Sequence, residues 1–172
     1  MILTGFMGVG KSATGAALAK LLGWSFVDLD REIEQQAGKP IPRIFAEEGE
    51  AGFRDRESEA LARVLGRART VVATGGGVLL RARNRKLLAG RIVVNLEAPP
   101  EACVERLAAS PEERPLLAGA DPLEEARRLY AARKPLYDAV ERRVDTRGKS
   151  PEEVAREIAR RFLPEALPEG AR

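Results

Sequence analysis

The chain has 172 residues, 44% hydrophobic and 32% charged, which fits one domain spanning residues 1–172 around a single core. Its 29 basic and 26 acidic residues leave a formal charge of +3, too mild for a polyanion-binding coat, which fits small anionic ligands at least as well as nucleic acid; scattered basic residues and 5% aromatics give a nucleic-acid partner little support. One cysteine (Cys103) and no histidine exclude an internal disulfide and an ordinary zinc site, and without a long apolar run or a signal-like N-terminus the expected location is cytoplasmic, with no membrane partner.

Short β-branched runs alternate with helical patterns along the chain. "MILTGF" predicts a first strand, followed by a helix over 11–22. "SFVD" predicts a second strand, and residues 31–65 then hold more than one helix, longer than a simple crossover needs. "RTVVAT" precedes a helix near 80–89, and "RIVVNL" precedes one over about 100–109. A long helix over about 122–141, the strand "RRVDT" and a last helix over 151–162 complete the pattern. Strands that alternate with helices imply right-handed crossovers and a mostly parallel sheet covered on both faces, the three-layer α/β/α arrangement. Residues 109–121, "ASPEERPLLAGAD", read as a plain loop or as a lid, and the tail "LPEALPEGAR" as poorly ordered.

The strongest local signal is "GFMGVGKS", Gly5–Ser12, which matches G-x-x-x-x-G-K-[ST] between a strand and a helix. Its glycines allow successive N–H groups to curl around phosphate oxygens, and the following helix adds its positive end. Lys11 is then placed for the β- and γ-phosphates and Ser12 for Mg²⁺. This establishes binding of a nucleoside triphosphate with its metal, and leaves open what receives the phosphate.

The second site has weaker signals. "FVDLD" is read as the end of the second strand, so alternation sets Asp28 and Asp30 on one side, at the carboxyl edge where α/β ligands bind. The alternative is that Asp30 merely caps a helix beginning at Arg31. In "GFRDRESEAL" Arg54 borders the apolar stripe, with Glu57 one turn on; a surface ion pair explains that segment equally well. Arg133 falls within the apolar stripe of the long helix, where a guanidinium requires a carboxylate or an anionic ligand, and both stay open. Gly75, Gly76 and Gly77 let a ligand lie against backbone after the third strand. That strand lacks the terminal acidic residue that usually serves the metal, so Asp28 is expected to do so. Arg114 in "ERPLLAG" is an arginine finger or a solvated loop charge.

Taken together, "GFMGVGKS", "FVDLD", "EAGFRDRE", "TGGG", "RPLL" and "RKPLY", in this order, resemble the shikimate kinase family from Met1 to about Phe162. The resemblance implies a P-loop, nucleoside-monophosphate-kinase-like fold with a five-stranded parallel sheet of order 2-3-1-4-5. It also implies a substrate-binding insertion at about 31–65 and a lid at about 109–121. The implied reaction is Mg²⁺-dependent transfer of the ATP γ-phosphate to the 3-hydroxyl of shikimate, on the route to chorismate and the aromatic amino acids. By motif, Lys11, Asp30 and Arg114 are then catalytic, while Asp30, Arg54, Gly76 and Arg133 bind shikimate. Gly8, Val9, Gly10, Lys11, Ser12 and Ala13 contact ATP, with Arg106, Arg114 and Pro151, and Ser12 and Asp28 (through water) serve the metal. A monomer working on ATP and shikimate is expected. The first strand departs from the pattern by starting at Met1, so its end is expected to fray. Gluconate kinases and nucleoside-monophosphate kinases share the loop and lid; a regulatory module that has lost catalysis fits poorly with intact Lys11, Ser12, Asp28, Asp30 and Arg114.

Overall fold

The computed structural model describes residues 1–108 and 121–168. Its strands are β1 (Ile2–Gly5), β2 (Ser25–Asp28), β3 (Thr70–Ala73), β4 (Val93–Glu97) and β5 (Arg142–Asp145). All neighbours pair parallel, in the order β2-β3-β1-β4-β5, as expected. The helices are α1 (Lys11–Leu22), α2 (Leu29–Ala37), α3 (Ile41–Val64), α4 (Ala82–Leu88), α5 (Pro100–Ala108), α6 (Pro122–Asp138) and α7 (Pro151–Phe162).

The central strands are mostly apolar because helices cover both faces; every residue of β1 and β3 is buried, Thr4 and Thr70 included. β1 lies in the middle of the sheet rather than at a free edge. Ile2 is in register with both Val72 and Val93, and the Met1 amino group donates to the Thr70 carbonyl at 3.1 Å. Pairing on both sides therefore opposes the fraying expected of this strand. The described part of the tail is also more anchored than its sequence suggests, since Leu167 is buried in the core.

Local chemistry explains where the helices start and stop. α7 opens with a capping box, Ser150 and Glu153 satisfying each other's backbone N–H groups, and Pro151 occupies the first helical position. Its buried Val154, Ala155, Ile158 and Ala159 belong to a face packed on α1. α3 is broken at Gly49, whose φ of 69° and ψ of −178° are not helical. α6 ends at Asp138, three residues before the predicted end, shortly after an internal Pro135 that cannot donate to the helical ladder.

One expectation is corrected here. β2 ends at Asp28, and Asp30 lies in the first turn of α2. Strand alternation therefore does not relate the two aspartates, and Asp28 rather than Asp30 is the cap. Its carboxylate accepts from the N–H groups of Asp30 and Arg31. The register pairs Asp28 with Ala73 and Ala73 with Leu3, so the carboxyl ends of β1, β2 and β3 lie side by side.

Candidate active site

The loop between β1 and α1 curls around its own lysine. Lys11 donates through Nζ to the carbonyls of Gly5 (2.9 Å) and Phe6 (2.7 Å), which holds the ammonium inside the loop. Gly8 has a φ of 73°, and a Cβ there would lie 2.4 Å from the Cys103 carbonyl oxygen, so neither the turn nor the approach of α5 tolerates a side chain. Gly10 is the N-cap of α1, and Ser12 and Ala13 occupy its exposed first turn. No side chain caps this helix start, and uncapped N–H groups at a helix N-terminus suit phosphate.

Asp28 divides its two oxygens between two duties. Oδ1 caps α2, while Oδ2 accepts from the Ser12 hydroxyl at 2.5 Å. A hydroxyl and a carboxylate oxygen thus stand together beside the phosphate loop. Mg²⁺ favours oxygen donors and keeps most of its shell for water and phosphate, so this pair fits it. Among the described residues no group of three or more His, Cys, Asp or Glu side chains is placed to hold a metal ion.

Next to this lies a cavity of about 610 Å³, the size of a small-molecule site. Ser12, Asp28 and Asp30 line it, as do Arg54, Glu57 and Arg133, the three glycines Gly75–Gly77, and an apolar wall that includes Ile41, Phe45 and Phe53. Phe45 and Phe53 stack with centroids 4.7 Å apart. The residues expected at an acceptor site, Asp30, Arg54, Gly76 and Arg133, therefore all face one space.

Arg54 is buried rather than bordering the surface. One of its terminal nitrogens donates to both carboxylate oxygens of Glu57, at 3.0 and 2.9 Å, and Glu57 is wholly buried. Glu50 accepts from the rest of the guanidinium at 3.2 and 3.3 Å. Burial pushes the Glu57 carboxyl up to about 7; Arg54 and Arg133 pull it down, and Asp30 adds to the rise. Arg133 is 5% exposed and, among the described residues, forms no salt bridge. Such a cation looks for an anion.

Arg106 lies on the phosphate-loop side of the sheet edge. It reaches from α5 to the Val9 carbonyl (3.3 Å) and to the hydroxyl and carbonyl of Thr146 (both 3.1 Å), joining the phosphate loop to the segment that leads into Pro151. Arg114 and nearly all of the expected lid lie outside the described residues. Two site neighbours escape a sequence reading. Glu50, a second acceptor for Arg54, precedes it by one turn, a spacing that was available. Tyr137 looks like core, yet its hydroxyl donates to the Gly76 carbonyl at 2.6 Å.

Comparison with known proteins points one way. A family model described as shikimate kinase matches residues 7–163. A shikimate kinase of Thermus thermophilus is 45% identical over 98% of this chain and 92% of its own length. The solved shikimate kinase of Acinetobacter baumannii in complex with shikimate superposes with a TM-score of 0.90 at 40% identity, covering 97% of this chain and 94% of that one. A gluconokinase from Sinorhizobium meliloti 1021, at 20% identity and a TM-score of 0.55 over 91% of this chain and 86% of that one, shares the fold alone.

Proposed function

This chain belongs to the shikimate kinase family, and on that premise we propose that it transfers the γ-phosphoryl group of ATP to the 3-hydroxyl of shikimate, giving shikimate 3-phosphate and ADP. The observation that carries this reading is the pair of buried guanidiniums, Arg54 and Arg133, lining one cavity with Asp30 beside the phosphate loop. Two planar guanidiniums suit a carboxylate, and an aspartate suits hydroxyls, which together describe a small polyhydroxy acid.

Phosphoryl transfer asks for positioning and charge neutralisation. Arg54 and Arg133 hold the acceptor carboxylate, with Gly76 against the ring. Asp30 orients the 3-hydroxyl, whose oxygen forms the new bond to Pγ as the bond from Pγ to the β-phosphate oxygen breaks. ADP leaves with that electron pair, and the hydroxyl proton passes to the Asp30 carboxylate. Lys11 exchanges its two carbonyl partners for phosphate oxygens. Ser12, and Asp28 through water, would hold Mg²⁺, which when bound neutralises phosphate charge. Arg106 and Pro151 border the nucleotide base, and Arg114 is assigned to the transferring phosphate by resemblance. A cytoplasmic setting supplies ATP, and no described helix is long and apolar enough to cross a membrane.

An ADP-release assay with shikimate, gluconate and nucleoside monophosphates side by side tests the reading. Shikimate is expected to exceed the others in kcat/KM by roughly 10²-fold or more, because a site built to pair a particular set of polar groups rejects analogues that leave them unpaired. Equal turnover of gluconate would overturn it.

A further inference from the structure

The glycine turn after β3 has three consecutive residues without side chains, so its peptide planes must be fixed from outside. The Gly75 carbonyl accepts from Val78 N–H at 3.2 Å, and the Gly77 carbonyl from Leu80 N–H at 2.9 Å. Farther along, Asn84 captures the Val78 carbonyl and Arg85 those of Leu79 and Leu80. The middle carbonyl, of Gly76, accepts from a side chain 61 residues away: the Tyr137 hydroxyl, at 2.6 Å.

Tyr137 is buried in α6, four residues after Arg133 and hence on the same helical face. A planar peptide forces the Gly77 N–H opposite to the Gly76 C=O, so the tyrosine also sets the attitude of Gly77. At Gly77 a Cβ would sit 2.4 Å from an Arg54 nitrogen. The ring is itself braced, with Tyr130 at 6.2 Å between centroids and Phe6 of the phosphate loop edge-on to Tyr130 at 5.5 Å. Moving the hydroxyl therefore moves the spacing between Arg133 and the turn that lies against Arg54.

We propose that Tyr137 is a positioning residue for the acceptor: its hydroxyl, bonded to the Gly76 carbonyl, holds the glycine turn and Arg133 at the spacing that seats an acceptor carboxylate. The proposal rests on the reading that this cavity takes shikimate, and the experiment separates the two. Turnover of shikimate by the unaltered chain tests the reading; the effect of Tyr137→Phe tests the positioning.

Tyr137→Phe keeps the ring and removes the hydroxyl, which donates to the Gly76 carbonyl and also meets the Arg133 guanidinium. The shikimate KM is expected to rise about five- to tenfold, the size of one neutral hydrogen bond, with ATP KM and kcat within about twofold. An unchanged shikimate KM would overturn the proposal, as would a fall in kcat with both KM values constant, which marks a loss of folded enzyme only. The chain has two tyrosines, so 3-fluorotyrosine in a Tyr130→Phe background labels Tyr137 alone and gives a readout that does not need the Tyr137→Phe variant to fold. Its ¹⁹F resonance is expected to shift on titration with shikimate and to stay in place with ATP; a resonance that ignores shikimate would also overturn the proposal.

Discussion

Arg54 and Glu57 form a buried ion pair one helical turn apart, with a single guanidinium nitrogen serving both carboxylate oxygens at 3.0 and 2.9 Å. Arg133 faces the same cavity and, among the described residues, has no such salt bridge. The two arginines should therefore respond differently to removal. Arg54→Ala strands a buried carboxylate, a change that costs about 3–5 kcal/mol of stability, and the loss should ease at pH 6, where Glu57 takes up a proton. Arg133→Ala strands no salt-bridge partner among the described residues. It is expected to melt close to the unaltered chain while raising the shikimate KM at least about tenfold, with ATP binding nearly intact. Thermal melts at pH 6 and pH 8 with steady-state kinetics check both; an unchanged shikimate KM in Arg133→Ala would remove the carboxylate clamp.

Glu57 links the site to pH. Burial raises its pKa from the ordinary 4.5 to about 7, so the folded chain holds this proton more tightly than the unfolded chain. The stabilisation from that proton is complete below about 4.5 and is lost as pH climbs through about 7. Compared with Glu57→Gln, which does not titrate, the unaltered chain should lose ground across that window and then hold level, as read by urea melts. A carboxylate bound against Arg54 and Arg133 adds negative charge near Glu57 and raises it further. Shikimate binding at pH 7 should therefore take up part of a proton. Calorimetry in two buffers of different ionisation heat detects it, and a binding enthalpy independent of buffer would contradict the linkage.

The phosphate loop was legible because its chemistry is local: backbone, one lysine and one serine within eight positions. The two aspartates were set at the sheet edge for the wrong reason, since Asp28 ends β2 by capping α2 and so turns the chain before alternation reaches Asp30. Arg54 was ambiguous because an i,i+3 pair reads the same on a surface or in a core; its burial depends on a glycine turn more than twenty residues away. Arg106 gave no local clue either, as its partners Val9 and Thr146 lie 97 and 40 residues off. What sequence reasoning reached was the set of chemically distinctive residues. What it missed were tertiary bonds from ordinary-looking ones, such as Tyr137.

Gly77 is held by steric exclusion. A methyl group there would lie 2.4–2.6 Å from three atoms of the Arg54 guanidinium, which Glu57 and Glu50 keep from swinging aside. Gly77→Ala should push that guanidinium off its carboxylate partner and raise the shikimate KM about tenfold or more, equivalent to about 1.4 kcal/mol, while the ATP KM stays level. Steady-state kinetics in each substrate decides it. Equal rises in both KM values would mean that the turn supports the whole edge of the sheet rather than the acceptor.

Asp28 permits a separation of structure from chemistry, because its two oxygens do different work. Oδ1 accepts from the Asp30 and Arg31 N–H groups, and Oδ2 faces Ser12. Asparagine caps helices about as well as aspartate, so Asp28→Asn should retain the start of α2, whereas Asp28→Ala should cost about 1 kcal/mol. The amide nevertheless loses the negative charge that a hydrated Mg²⁺ would meet beside the Ser12 hydroxyl. Asp28→Asn is therefore expected to melt close to the unaltered chain yet need several-fold more Mg²⁺ for half-maximal rate, with shikimate KM unmoved. A Mg²⁺ titration at saturating ATP and shikimate, run beside a thermal melt, supplies the measurement. If the metal requirement stayed the same while activity fell, Asp28 would act only by holding Ser12 and the first turn of α2 in place.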